Sequence, residues 1–430
     1  MLTYRQPGTV LTDHLFAVPL DHGRPDGEQI DVFAREVVAA DRAEADLPWL
    51  LFLQGGPGFG AQRPQGRESW LDRALDDYRV LLLDQRGTGR STPATRQTLA
   101  GLRSAKAQAH YLTHFRADSI VLDAELIRRE LAGGAPWSVL GQSFGGFCTV
   151  TYLSFAPYGI REAFIAGGLP GLSVTADDVY RQTYRTVAGK NAVHYERYPG
   201  DVVQAALVAQ YLAGHDVRLP DGAPLSVQAF QALGNILGMS TGSHALHYLL
   251  EDPFAGDELS DAFLYGVHAR VSFAAAPLYA LLHEPCYAQG SATRWSAQRI
   301  RAEFAEFDSD PVLDADPGTT PLLFTGEMIY PSMIDADPAL RPLREAADLL
   351  AERDDWPPLY DPSRLAANEV PVAAAVYYDD MYVDREFSMR TASAIGGLRT
   401  WVTSEYEHDG LRVGSGAVLG RLIDMCRGRA

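Results

Sequence analysis

The feature that most constrains this chain is a set of short apolar runs with no polar alternation: Pro48 to Leu53, Arg79 to Leu83, Trp137 to Leu140 and Glu162 to Ile165. A strand with one wet face alternates, so runs that are apolar throughout must be covered on both faces, as strands of a parallel sheet are. Between the second and third runs, Ile120, Ala124, Ile127 and Leu131 recur at helical spacing, and the helix spans about Ser119 to Leu131. Asp118 or Ser119 can cap its start and Gly133-Gly134 can end it. This strand and helix alternation predicts an α/β architecture, with a mostly parallel central sheet flanked by helices. Ahead of it, His14 to Pro19 and Gln29 to Val38 flank the turn-rich DHGRPDGE and predict an antiparallel ribbon.

After Gly167-Gly168 the pattern becomes amphipathic helical from about residue 172 to 335, which reads as an inserted cap. Strand signal returns at Val370 to Tyr377 and Leu398 to Thr403, before a helix from about Ser415 to Cys426. The expected organisation is a core in two parts, 1–171 and 336–430, around a helical cap at 172–335. A chain of 430 residues exceeds one minimal domain and suits a core with an insertion.

A net charge of -18, with Lys and Arg concentrated nowhere, speaks against a nucleic-acid partner. The three cysteines, Cys148, Cys286 and Cys426, are far apart and form no C-x-x-C pair, so neither a zinc site nor a disulfide framework is expected. The N-terminus lacks a basic segment leading into an apolar one, and no stretch approaches the ~20 apolar residues of a membrane span. A cytoplasmic protein without a membrane partner is the expectation; oligomeric state leaves no trace in the sequence.

The segment WSVLGQSFGGF sets Ser143 in Gly141-Gln142-Ser143-Phe144-Gly145, between an apolar strand and a helix start. Small flanking residues permit a sharp turn that lifts the hydroxyl out of the sheet to a helix N-terminus, the nucleophile elbow of the α/β-hydrolase fold. An idle serine in an ordinary strand-to-helix turn is the plainer reading, so the rest of the machinery must be sought. Serine is a poor nucleophile at neutral pH and needs a neutral imidazole held by a carboxylate.

In this fold the partners follow in the order Ser, Asp or Glu, His. Of the 11 histidines only His408, on the loop EYEHDG, lies beyond residue 283 and after the last two strand candidates. The acid comes from VYYDDMYVD, which offers Asp379, Asp380 and Asp384. Neighbours on an extended segment point to opposite sides, so Asp379 and Asp380 cannot both face the imidazole; Asp380 is the choice and Asp379 the alternative. Glu405, Glu407 and Asp409 share the histidine's own loop and are too close in sequence.

Acyl transfer builds negative charge on the carbonyl oxygen, and two backbone N–H groups commonly stabilise it. The amide of Phe144 is one expected donor, and Gly56 in the loop Gln54-Gly55-Gly56-Pro57-Gly58 is the other. A further glycine loop, Asp84-Gln85-Arg86-Gly87-Thr88-Gly89-Arg90-Ser91, lacks Gly-Lys-Ser/Thr; it is expected to brace the site and not to cradle phosphate.

Together QGGPG, DQRGTGRS and GQSFGG, in this order, resemble the proline iminopeptidases (prolyl aminopeptidases), with Gln54 where the family's HGGPG has histidine. DDMYVD resembles the family's segment around its catalytic aspartate, with Asp380 falling on it and His408 on its histidine; the length and cap resemble the longer of two size forms. The resemblance implies a serine exopeptidase that removes an N-terminal proline from small peptides and needs no metal or organic cofactor. It also implies cap glutamates that bind the free amine by charge-assisted hydrogen bonds. Glu284 in HEPCY matches best, followed by Glu327 in TGEMIYP and, more weakly, Glu196 in YERYPGD; each has a plain alternative as a solvated helix face. Phe144 is a candidate to flank a proline ring, or simply packs against the cap. The rival readings are a capped esterase or lactonase, or a broader aminopeptidase, and a catalytically silent binding protein; an epoxide hydrolase or dehalogenase would need a carboxylate where Ser143 stands.

Overall fold

The computed structural model describes residues 2–430. Its strands are β1 (Leu2–Gln6), β2 (Thr9–Pro19), β3 (Gln29–Ala39), β4 (Trp49–Leu53), β5 (Arg79–Leu83), β6 (Trp137–Gln142), β7 (Ile160–Ala166), β8 (Phe254–Ala255), β9 (Glu258–Leu259), β10 (Val372–Tyr377) and β11 (Leu398–Thr403). All except the β8–β9 hairpin form one nine-stranded sheet in the order β1-β2-β3-β5-β4-β6-β7-β10-β11. From β5 to β11 the pairings are parallel, whereas β1, β2 and β3 form an antiparallel ribbon that joins β5 antiparallel.

The missing alternation has a direct cause. Leu51, Leu53, Leu81, Leu83, Val139 and Ile165 face one hydrophobic core, while Leu50, Phe52, Val80, Leu82, Leu140 and Phe164 face another across the sheet. Helices Ala117–Leu131 and Phe144–Phe155 contribute to the first core, and helices Ser69–Leu75 and Ala417–Cys426 to the second. Burial on both faces therefore favoured apolar residues along these runs, with Ser138 and Glu162 as buried polar exceptions that bond each other at 3.1 Å.

The Ala117–Leu131 helix begins two residues before the expected start. Its N-cap is Arg116, without a side-chain cap, since a guanidinium has no acceptor for the helix N–H groups; buried, it donates instead to the carbonyls of Pro285, Ala288 and Pro357. Between β7 and β10 the chain is mostly helical, led by Ala176–Arg197 and Asp201–Gly214. None of the described helices is long and apolar enough to cross a membrane.

Candidate active site

At the end of β6 the backbone turns so sharply that Ser143 adopts φ 55° and ψ -124° and becomes the N-cap of the Phe144–Phe155 helix. Non-glycine residues rarely occupy positive φ, and the surroundings must hold it there. They do so through Ser143 N–H donating to Ala166 O at 3.0 Å and Gly146 N–H donating to Ser143 O at 2.7 Å. The turn also needs bare neighbours: a Cβ on Gly145 would overlap the Leu53 carbonyl, and one on Gly168 would overlap the Ser143 carbonyl. The hydroxyl thus stands at a helix start, where the first N–H groups have no partner within the helix.

The glycine loop after β4 lies against this serine. A Cβ on Gly55 would come within 3.0 Å of Ser143 Cβ and 3.5 Å of its Oγ. The close approach therefore belongs to Gly55; Gly56, the residue favoured from sequence, has φ +139° and carries the chain around the bend. Asp84 braces the loop by accepting from the amides of Ala61 and Arg90, each at 2.9 Å. Gln85 Nε2 donates to the Gln54 carbonyl at 2.9 Å. Arg86 is locked by two hydrogen bonds to Asp123, at 2.7 and 2.6 Å, and by backbone carbonyls. The second glycine loop is built as a brace.

His408 Nδ1 lies 2.7 Å from Asp380 Oδ2, with both side chains buried. The other carboxylate oxygen accepts from the amides of Tyr382 and Val383, at 2.9 and 3.1 Å, which fixes its plane. Asp379 is exposed and takes no part in the pair. Burial pushes the His408 imidazolium down, but the charge and hydrogen bond of Asp380, with further charge from Glu327 and Asp409, outweigh it and hold the ring above its ordinary value. Gly167 links this pair to the elbow: a Cβ there would lie 3.3 Å from Asp380 Oδ2, while the adjacent Gly168 presses on Ser143.

The three cap glutamates part company. Glu284 is buried with both oxygens engaged, Oε2 accepting from Ser296 N–H at 3.0 Å and Oε1 from Ala297 N–H at 2.9 Å. Burial raises its pKa, against these same amides. It serves the start of the Ser296–Arg301 helix, which the segment HEPCY did not reveal. Glu196 is exposed in the last turn of its helix, without a hydrogen bond or ion pair among the described residues, and does not form a pocket wall.

Glu327 is half-buried and accepts from Tyr279 Oη at 2.6 Å. The Tyr279 ring in turn lies 5.2 Å from that of Phe59 on the glycine loop, tilted by 51°, and its backbone N lies 2.5 Å from where a Gly58 Cβ would be. Glu327 and Tyr279 line a small cavity of about 10 Å³ with Asn235, Phe273, Gly326 and Met333. Phe144 is buried and meets Phe147 edge-on, and Phe147 meets Tyr287 of the cap in the same way. Tyr279, His283 and Tyr382 were not singled out from sequence. The spacing of Tyr279, His283 and Tyr287 in PLYALLHEPCY puts them on one helical face, which was the available signal. Tyr382 rests against the His408 ring at 4.7 Å and donates to the Asn235 carbonyl.

An elbow serine at a helix start and a buried histidine–aspartate pair, both beyond the carboxyl ends of a parallel sheet, define a serine hydrolase of the α/β-hydrolase class. The family model for the alpha/beta hydrolase fold matches residues 48–232. A proline iminopeptidase of Aeromonas sobria is 50% identical over 427 residues, 99% of each chain. One from Aspergillus aculeatus is 36% identical over 423 residues, 95% of this chain and 92% of that one. A third, from Xylella fastidiosa, is 31% identical over 118 residues, 27% of this chain and 31% of its own. With half its residues shared along essentially its full length, the chain belongs to the proline iminopeptidase family.

Proposed function

We propose that this enzyme releases N-terminal proline from small peptides through an acyl-enzyme formed on Ser143. His408 Nε2 takes the hydroxyl proton as Oγ attacks the prolyl carbonyl, then gives it to the departing peptide amine. Asp380 holds Nδ1–H, so that Nε2 is the basic nitrogen, and stabilises the imidazolium that forms. The amide of Phe144 and the glycine loop pressed against Ser143 stabilise the oxyanion. Water, activated by the same imidazole, then frees proline.

The observation that carries the exopeptidase reading is the Glu327 carboxylate, oriented by Tyr279 beside the glycine loop. An esterase has no need of a fixed negative charge there, whereas a substrate with a protonated terminal amine does. Turnover of a chromogenic prolyl amide should fall at least about 10³-fold in Ser143→Ala. Undiminished turnover would overturn the proposal, and equal hydrolysis of the same amide with its amine acylated would favour an esterase.

A further inference from the structure

One buried titratable group has no part in that mechanism. His283 is 1% exposed, yet neither ring nitrogen has a hydrogen-bond partner among the described residues. Buried polar groups are rarely left so, and an exception calls for a cause. The ring stands between Tyr279, centroids 5.1 Å apart, and Tyr287, 5.9 Å away. Its Nε2 lies 3.9 Å from Glu327 Oε2, beyond hydrogen-bond length but on the side of the carboxylate that Tyr279 does not hold.

We infer that His283 is a positioning residue of the amine site: its Nε2–H closes onto Glu327 Oε2 when the substrate's ammonium is bound, completing with Tyr279 a two-donor clamp. The inference rests on the reading of Glu327 as the amine's partner. A carboxylate held at one oxygen still rotates, whereas one held at both presents its remaining lone pairs in a fixed direction. Burial pushes the His283 imidazole's pKa down, and a neutral donor suits the task. It orients Glu327 without cancelling the charge that attracts the ammonium, which an imidazolium would do. The same contact satisfies an orphaned donor, so closure is favoured by the histidine as well as by the substrate.

The test is a cycle of variants on a prolyl amide. His283→Leu should raise KM about tenfold with kcat within about twofold, the size of one lost hydrogen bond to a charged group. His283→Gln, which keeps an N–H, should restore most of the KM, and in a Glu327→Gln background His283→Leu should add nothing further. The rate of Ser143 labelling by a fluorophosphonate, which needs the elbow and His408 but no amine, should stay unchanged in His283→Leu and His283→Gln. An unchanged KM in His283→Leu, a KM effect that persists beside Glu327→Gln, or a parallel loss of labelling and kcat would overturn the inference. If Glu327→Gln itself leaves KM unaltered, the reading of Glu327 as the amine's partner is what fails.

Discussion

Asp380 and Asp379 are adjacent acids with opposite surroundings, and their substitution separates a role in catalysis from mere proximity. Asp380 is buried, bound to His408 and to two amides; Asp379 faces solvent. Asp380→Asn should lower kcat by roughly 10³–10⁴-fold by unsettling the tautomer of His408, while Asp379→Asn should stay within about twofold. Steady-state kinetics on a prolyl amide decide this, and equal losses would remove Asp380 from the mechanism. A second consequence concerns pH. Because Asp380, Glu327 and Asp409 hold His408 above the ordinary value of 6.5, the neutral base forms only at higher pH, so the acidic limb of kcat/KM should lie above 6.5. Glu327→Gln removes one of those charges, favours the neutral ring and should move the limb downward. A wild-type limb at or below 6.5 would contradict this account. Chain order led to His408; the two aspartates lie in and just after the turn that follows β10 and not on an extended segment, so strand alternation is not what separates them. That Gly55 is the glycine packed against Ser143 was not legible, because a loop's closest approach depends on backbone angles that the letters QGGPG do not encode.

At the scale of elements, the parallel strands were legible because burial on both faces leaves an unbroken apolar run. β1 was not: Leu2–Gln6 is a largely exposed edge strand, with no burial to write a pattern into LTYRQ. The cap's helices were visible as a class, but many are short, such as Pro277–Leu282 and Ser296–Arg301, and give little periodicity to read. Glu284 shows the cost: its neighbours suggest a pocket, yet its carboxylate ends on two amides of the following helix. Glu284→Ala should therefore destabilise the protein by about 1–2 kcal/mol, as loss of a cap does, seen as a lower Tm. KM should change much less than in Glu327→Gln, and the reverse ranking would restore Glu284 to the amine site. The elbow is the other element-scale constraint. Gly145→Ala places a methyl on the Leu53 carbonyl, so β4 and the helix after Ser143 must separate, with loss of both stability and activity.

For the whole molecule, the question is what keeps the cap registered on the sheet, since Glu327 belongs to one and Ser143 to the other. Arg116 is a structural answer. It stands at the start of a core helix, stacks on Trp356 at 4.6 Å, and donates to Ala288 O at 2.8 Å, Pro357 O at 2.9 Å and Pro285 O at 3.4 Å. Burial pulls its pKa down, a cost set against its hydrogen bonds to the three carbonyls, of which Pro285 O also accepts from Ala288 N–H at 3.1 Å. Two of those carbonyls, of Pro285 and Ala288, belong to the turn that follows Tyr279 and His283, so the arginine ties that turn to the core. Arg116→Met fills similar space but removes the donor to Ala288 O, at about 1–3 kcal/mol if water cannot reach it. We expect a Tm lower by several degrees, faster proteolysis around residues 284–296, and a rise in KM that exceeds the fall in kcat, because Ser143, Asp380 and His408 stay on the sheet. Arg116→Lys should rescue little, since a single ammonium nitrogen cannot replace the two guanidinium nitrogens that reach these carbonyls. If Arg116→Met keeps its Tm, the desolvation cost of the charge outweighs its hydrogen bonds, and the registration of the cap rests on its apolar contacts with the sheet instead.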